Sequence, residues 1–419
     1  MTDRFPVAII GGGPIGLAAA AQLAKRNKSF VLMEKGASVG HSFMQWKHVR
    51  LFSPWRYNID KAAEALLVAH GGWISPPKDQ RPTGLQMVQE YFLPLSNLPK
   101  LRPFIKTNSR VLSIHRYGID KVKTAGRETF PFEVVYEKNG AIHPSYVSAV
   151  IDATGTWDSP NPAGASGNRA TGEDVLHSHI FYGIPETAER DREIYAGKTV
   201  AVVGSGHSAM NSILELDHLK YKAPGTQIVW VLRKHSVAST YGAGTNDALP
   251  ARGELGTRVR ELVENGRVRV YAPFRVHTID RADNRLCLVG LMGHQNAVIP
   301  GIDEIVVNTG ARPDFSFLTE LRYASDVSLE CVPALADLID PNVHSCGTVR
   351  PHGEAELRQP EPNFYIVGSK SYGRAPTFLM ATGYEQVRSI VAELSGDWES
   401  ARKVDLDLPA TGVCGIPIG

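Results

Sequence analysis

The chain has 419 residues, 43% of them hydrophobic and 21% charged, with a formal net charge of +2. That length accommodates two or three domains with substantial cores, and the near-neutral balance gives no general electrostatic case for nucleic acid or an anionic membrane as partner. Four cysteines, Cys287, Cys331, Cys346 and Cys414, show neither C-x-x-C nor zinc spacing, so no metal site is expected and a reducing, cytoplasmic setting is the simplest reading.

The first element is an apolar run, VAII from Val7, which leads into glycines at tight spacing and then small residues. Gly11, Gly13 and Gly16, with Pro14 and Ile15 among them, have the spacing by which a buried strand turns into a helix and brings backbone against a pyrophosphate. A helix is expected over 14–27, and the strand SFVLMEK then reaches Glu34. That carboxylate, about twenty residues beyond the glycines, is placed to accept hydrogen bonds from ribose hydroxyls. Because Val7–Leu23 contains Pro14 and several glycines, it reads as a nucleotide loop and not as a signal or anchor. GASVG, at Gly36–Gly40, fits G-x-S-x-G, but it follows the acid of a nucleotide unit and is not read as a hydrolase elbow.

Helical patterning follows at 61–70 and 84–95, then strand-like runs in RVLSIHRY, PFEVVYE and VSAVIDATG, the last ending at Thr154-Gly155. SPNPAGASGNRATG reads as a linker. A second loop, VAVVGSGHSAMNSIL from Val200, repeats the arrangement with Gly204, Gly206 and Ala209, carrying Ser205, His207 and Ser208 in its turn. Its helix, 208–219, precedes TQIVWVLRKH, which ends in Arg233 and Lys234 where the first unit has an acid. A carboxylate repels a ribose 2′-phosphate and a guanidinium binds it, so the second site reads as NADPH and the first as a dinucleotide without that phosphate.

An amphipathic helix around 255–265 and strands in RVRVY, RLCLVGLM and DEIVVNTGARP follow, ending at Thr309-Gly310. The order of loop and strand-Thr-Gly, given twice, is an internal duplication. The tail, from about Pro313, holds NFYIVGSKSYG and the helix-like TFLMATGYEQVRSIVAEL without a nucleotide loop, and is expected to return to the first domain. The fold expected is α/β, with two Rossmann-like dinucleotide-binding domains. One, over 166–310, is inserted into the other, over 1–165 and 311–419. Two dinucleotides on one chain imply hydride transfer between them.

With both loops, both Thr-Gly strand ends and the tail in view, the chain resembles the two-dinucleotide-binding flavoproteins over nearly its whole length. Within them it is most similar to the flavin-containing monooxygenases and their class B relatives. VVGSGHSA is similar to their NADPH loop, AVIDATGTW to the strand after the FAD half, and HSHIF, at His177–Phe181, to the end of their fingerprint. The upstream F-x-G of that fingerprint is replaced, with Thr171 and Gly172 in its place. The resemblance implies FAD on the discontinuous domain, held by the first loop, Glu34, Lys35, Trp46, Val111, Thr154 and Gly155, with Phe43 where relatives carry tryptophan. Gly368, Phe378 and Leu379 would present backbone N–H groups to the flavin. NADPH would lie on the inserted domain, against Gly204–Ser208, Arg233, Lys234, Thr309 and Gly310.

The same resemblance implies a reaction in which NADPH reduces FAD, O₂ adds, and a flavin hydroperoxide transfers oxygen to a small substrate containing nitrogen, sulfur or a carbonyl. No catalytic side chain is identified. Ser53, Asn58 and Tyr372 are candidate substrate contacts; for Asn58 the resemblance supplies the reason, since relatives use an asparagine near the flavin, whereas the residues alone read it as a solvated loop asparagine. Cys346, Arg350, His352, Lys370, Tyr372 and Arg374 read equally as substrate contacts or as packing. Two other readings stay open. One is an NAD(P)H:acceptor flavin reductase without oxygen transfer, linked to thiols or a metalloid through Cys346 and Cys414. The other is a non-enzymatic nucleotide-binding redox sensor. The partners expected are a small molecule and O₂, with neither nucleic acid nor membrane, and with a homo-oligomer as an open alternative.

Overall fold

A computed structural model describes residues 5–241, 250–343 and 349–406. The chain divides into two compact units: the first runs to Ser159 and resumes at Arg312, and the second spans Pro160–Ala311. The first division falls ahead of the 165/166 boundary expected from composition. Pro160 already pairs with Ala311, and the Asn161 N–H donates to the Gly310 carbonyl at 2.9 Å, so the start of the Pro- and Gly-rich stretch is stitched to the second unit.

In chain order the strands of the first unit are β1 (Val7–Ile10), β2 (Phe30–Met33), β3 (Ile105–Lys106), β4 (Ser109–Arg116), β5 (Phe132–Lys138), β6 (Ala141–Val147) and β7 (Ala149–Asp152). The second unit holds β8 (Ile180–Tyr182), β9 (Thr199–Val203), β10 (Gln227–Val231), β11 (Val268–Tyr271), β12 (Phe274–Ala282), β13 (Arg285–Met292), β14 (Gln295–Ile302) and β15 (Glu304–Val307). The chain then re-enters the first unit and adds β16 (Phe364–Ile366).

Each unit carries a five-stranded parallel sheet, ordered β16-β7-β1-β2-β3 in the first and β11-β10-β9-β15-β8 in the second. The glycine-loop strand is the middle strand of both. β1, β2, β7 and β15 are buried along their whole length, which is why they appear in sequence as unbroken apolar runs without alternation. Each unit also has a three-stranded antiparallel meander, β4-β5-β6 and β12-β13-β14. β6, β12 and β14 were not expected. β6 contains Pro144 and is mostly exposed, and β14 contains Pro300 and Gly301, the composition of edge strands and not of core.

The helices follow their local chemistry. Pro14–Lys25 starts with proline at its first position, where the missing N–H costs nothing. The helix Met380–Leu394 packs beside it so closely that a Cβ on Gly383 would stand 2.5 Å from Ile15 and 2.8 Å from Phe378. Lys61–His70 is capped by Asp60, whose carboxylate accepts from the Ala63 N–H at 2.9 Å. Burial raises the Asp60 carboxyl to about 6, against the opposing effect of that cap bond. An acid raised in the fold favours folding below its unfolded value of 3.8, and the contribution is lost as pH rises through about 6. Asp60→Asn keeps a good cap without the charge. Denaturant titrations are therefore expected to find the variant more stable than wild type by up to about 3 kcal/mol at pH 8, with the difference vanishing near pH 4.

Candidate functional site

Parallel register brings the strand ends of the first sheet together: Ile10 lies opposite both Met33 and Asp152, and Asp152 opposite Ile366. Gly11, Glu34, Thr154-Gly155 and Gly368, the residues that follow, share one carboxyl edge. A crevice at the carboxyl edge beside a central strand is where open α/β sheets bind ligands.

The three glycines of the first loop have different surroundings. Gly11 has φ +104°, and a Cβ there would lie 2.7 Å from the Ala153 carbonyl oxygen. At Gly16 it would lie 1.9 Å from the Gly11 carbonyl. At Gly13 it would meet nothing within 4 Å. Gly11 and Gly16 are thus required by the protein's own backbone, whereas Gly13 faces open space at the start of a helix that no side chain caps. Uncapped N–H groups beside a cradle that only a Cβ would fill fit a pyrophosphate. Glu34 is buried at the next strand end; its Oε2 accepts from the Gly12 N–H at 2.7 Å and its Oε1 from the Gly36 N–H at 2.6 Å. These bonds fix its orientation and leave each oxygen further acceptor capacity for a ribose.

Around this edge, Lys35 pairs with Asp158 at 2.6 Å. Trp46 packs against Phe43 with the rings tilted at 41° and centroids 4.3 Å apart, and lies 6.1 Å from Trp157, whose indole N–H donates to Gln45. Val111 is half-buried on β4 at a register break. Ile15 is a packing residue, buried beneath Gly368 and Gly383. Leu379 sits extended ahead of Met380–Leu394, another helix without a side-chain cap, preceded by Phe378.

Three expectations need correction, and for Lys370 an open choice is decided. The Gly368 N–H is not offered outward: it donates to Gln386 Oε1 at 2.7 Å. Asn58 is not a solvated loop residue. It is 1% exposed, its Oδ1 accepts from Ser53 Oγ at 2.7 Å, its Nδ2 donates to the Ser53 carbonyl, and its own carbonyl accepts from the Tyr384 hydroxyl. Ser53 and Asn58 thus satisfy each other. Tyr372 is also buried, packed between His352 and Phe378, and burial pushes its phenol well above the usual value. Among the polar residues of the return segment, Lys370 is packing and not a solvent-facing contact. Fully buried, it donates to Asp152 Oδ2 and the Asp314 carbonyl, both at 2.6 Å, and to Thr154 Oγ1 at 3.2 Å. Thr154 in turn donates to Asp152 Oδ1. Cys346 and Cys414 lie outside the described residues.

Sequence reading missed Ser369, half-buried where its Oγ would lie 3.4 Å from a Cβ on Gly155, and Asp152, the hub of the Thr154 turn. Only its position at the tip of an apolar strand distinguishes Asp152 in the sequence.

The second unit repeats the geometry by itself. Val203 lies opposite both Val231 and Val307. Gly204 has φ +136°, and a Cβ there would lie 2.2 Å from the Asn308 carbonyl oxygen, while one on Gly206 would meet nothing within 4 Å. The helix His207–Lys222 starts uncapped, with Gly206, His207 and Ser208 exposed, Ser205 half-buried and Ala209 buried at the close-packing position. Arg233 and Lys234 are exposed just beyond β10, with one Arg233 N–H reaching the Ala165 carbonyl at 3.3 Å. Thr309 Oγ1 donates to the carbonyls of Asn161 and Pro162, and Gly310 has φ +93°. Asn308, another missed residue, joins Ser212 to the Gly183 carbonyl.

Among the described residues, Cys287 and Cys331 are both buried and unpaired, and burial pushes the Cys331 thiol up to about 12. No cluster of three or more His, Cys, Asp or Glu there could hold a metal ion, and no helix is long and apolar enough to cross a membrane.

Two Rossmann-like units, each with a glycine turn that leaves open space at an uncapped helix start, have the architecture of an oxidoreductase that uses a flavin and a nicotinamide nucleotide. The chain belongs to the pyridine nucleotide-disulphide oxidoreductase family, which residues 8–335 match. It is 24% identical over 319 residues to bacilliredoxin reductase Bdr of Bacillus subtilis, across 76% of this chain and 80% of that one. Among solved structures it is similar to bacillithiol disulfide reductase Bdr from Bacillus cereus, with TM-score 0.70 and 20% identity over 94% of this chain and 99% of that one. It is also similar to FAD-bound DfoA, a cadaverine monooxygenase from Erwinia amylovora, with TM-score 0.64 and 12% identity over 97% and 99% of the two chains.

Proposed function

We propose that this protein is an NADPH-dependent FAD reductase that delivers electrons to a small disulfide, without oxygen transfer. The observation that carries this reading is the 24% identity, spread over most of both chains, to bacilliredoxin reductase Bdr, together with the similarity of fold to a bacillithiol disulfide reductase Bdr. It replaces oxygen transfer as the preferred reading, which rested on a monooxygenase fingerprint of which only the end, HSHIF, is kept, with Thr171 and Gly172 in place of its F-x-G. The reaction balances as NADPH, a disulfide and a proton giving NADP⁺ and two thiols.

The residues of the first edge fit FAD, with Gly13 under its pyrophosphate and Glu34 on its ribose. Those of the second fit NADPH, with Gly206 under the pyrophosphate and Arg233 and Lys234 on the 2′-phosphate. When bound, the flavin supplies acceptance and delivery of a hydride. The chain's own contribution is to hold the two nucleotides through backbone N–H groups and to keep the carboxyl-edge turns fixed. No dithiol occurs among the described residues, so disulfide reduction on the described part of the chain proceeds without a protein cysteine pair.

Arg233→Ala is expected to raise KM for NADPH roughly tenfold or more, with little change for NADH, because a charge-assisted bond is worth about 1.5–3 kcal/mol. An equal change for both coenzymes would remove the 2′-phosphate assignment. The acceptor is tested in oxygen-free buffer with NADPH and a panel of low-molecular-weight disulfides, counting thiols: two per NADPH supports the reading, and no acceptor-dependent NADPH consumption refutes it. Oxygen transfer is the second reading, favoured by the similarity to a cadaverine monooxygenase and by the absence of a cysteine pair among the described residues. It requires consumption of dioxygen matched to an oxygenated product.

A further inference from the structure

Gly368 follows β16 with φ +70°, a left-handed conformation that needs support. Both faces of its peptide are clamped. Its N–H donates to Gln386 Oε1 at 2.7 Å, and its carbonyl accepts from Ser371 Oγ at 2.7 Å. The Gln386 amide closes the ring by donating to Ser371 Oγ at 2.9 Å, and its second N–H points at His352 Nε2, also at 2.9 Å. His352 Nδ1 faces the Arg350 carbonyl at 3.2 Å. Gln386, Ser371, His352 and Gly368 are all buried.

Donor and acceptor accounting leaves one arrangement. A carbonyl accepts only, so His352 carries its proton on Nδ1 and accepts at Nε2. Gln386 must then turn its NH₂ to His352 and its oxygen to Gly368. A second proton on His352 would occupy Nε2 and oppose the Gln386 NH₂, donor against donor. Flipping the amide relieves that clash but turns NH₂ toward the Gly368 N–H, a new donor–donor clash. Protonated His352 and a clamped Gly368 are therefore incompatible. The charged groups acting on the ring are Glu356 and Arg350 on its own segment and Glu385 on the neighbouring helix; the Tyr372 ring packs at 5.6 Å. Burial dominates and, with Arg350, holds the imidazole below its usual value, against the Arg350 carbonyl bond and the two glutamates.

We propose that Gln386, oriented by neutral His352, is a positioning residue that locks the Gly368 turn at the carboxyl edge, so that protonating His352 unseats the turn and weakens FAD binding. The proposal rests on the reading that FAD lies on the first unit's edge. The turn is held while His352 is neutral and is released as pH falls through the imidazole value of the flavin-free protein, which burial holds below the ordinary one.

The test titrates flavin-stripped protein with FAD at pH 8 and pH 5.5. Wild type is expected to lose FAD affinity on acidification, by less than about tenfold at pH 5.5 because His352 is held below its usual value. His352→Leu, which keeps the Gln386–Ser371–Gly368 ring, is expected to lose most of that dependence. Gln386→Leu is expected to bind FAD about tenfold more weakly already at pH 8. Equal pH dependence in wild type and His352→Leu overturns the proposal. Should a variant not fold, wild type alone decides: linkage requires bound FAD to lower the His352 pKa, read by NMR with labelled histidine, and an unchanged value overturns the proposal. Gly13→Ala separates the two ideas. If it weakens FAD while Gln386→Leu does not, the Gln386 role fails and the flavin placement stands. If neither does, both fail.

Discussion

Gly13→Ala is expected to yield a folded protein depleted of flavin as purified. Gly13 has φ −80° and ψ −173°, which alanine adopts without strain, and the new methyl would meet no protein atom within 4 Å. In the proposed placement, what it enters is the space left for the FAD pyrophosphate. Overpacking of this kind costs about 1–3 kcal/mol, so FAD affinity should fall by roughly tenfold to a hundredfold while the melt stays close to wild type. The flavin-to-protein absorbance ratio and an FAD titration check both halves. Gly11→Ala and Gly16→Ala should behave differently. Their methyl groups would lie 2.7 and 1.9 Å from backbone oxygens, so the loss falls on folding itself. Similar stability loss in all three variants would remove the argument that Gly13 is reserved for a ligand.

Lys370→Met is expected to be among the most damaging single substitutions in the first unit. Lys370 and Asp152 are both fully buried, and the ammonium also holds the Asp314 carbonyl and Thr154 Oγ1. It lies 4.5 Å from the Phe317 ring centroid and 5.2 Å from that of Phe315. Removing one partner of such a pair leaves a buried carboxylate uncompensated, at about 3–5 kcal/mol. The double variant Asp152→Asn/Lys370→Met should recover much of that loss, because both charges go together. Chemical denaturation of the single and double variants measures the coupling. Strict additivity would mean that the two residues do not act as a pair.

A comparable assembly ties the return segment to the first meander. Glu361, fully buried, accepts from Arg116 at 2.8 Å and from Arg127 at 2.8 Å, while Arg116 lies over Phe132 at 3.6 Å. Burial would raise the Glu361 carboxyl, but the bonds from Arg127 and Arg116 outweigh it and hold the group below its usual range.

What could be read in the sequence was what local physics writes there. Apolar runs became β1, β7, β9 and β15, glycine spacing marked both open turns, and Lys61–His70 appeared with the limits its pattern suggests. The acid at Glu34 and its replacement by Arg233 were legible because each follows directly on a buried strand. The exposed strands were not, since a half-solvated edge such as β6 carries no core signal. Nor were the contacts that shape the edge. Asp152 and Lys370 are 218 positions apart, and Asn58 meets Tyr384 across 326, so nothing near SPWRYN distinguishes a buried asparagine from a solvated one. The Gln386 clamp fell out of reach for the same reason, and Gly368 was consequently assigned an outward N–H that it does not have.

The central claim is tested most directly by a single turnover without oxygen. The bound FAD is reduced with one equivalent of NADPH in a sealed cell, and a small disulfide is then added. The account predicts that the oxidised flavin spectrum returns at once and that two thiols appear per flavin. A flavin that stays reduced with every disulfide offered, and reoxidises only when dioxygen enters with an oxygenated product formed, would contradict it.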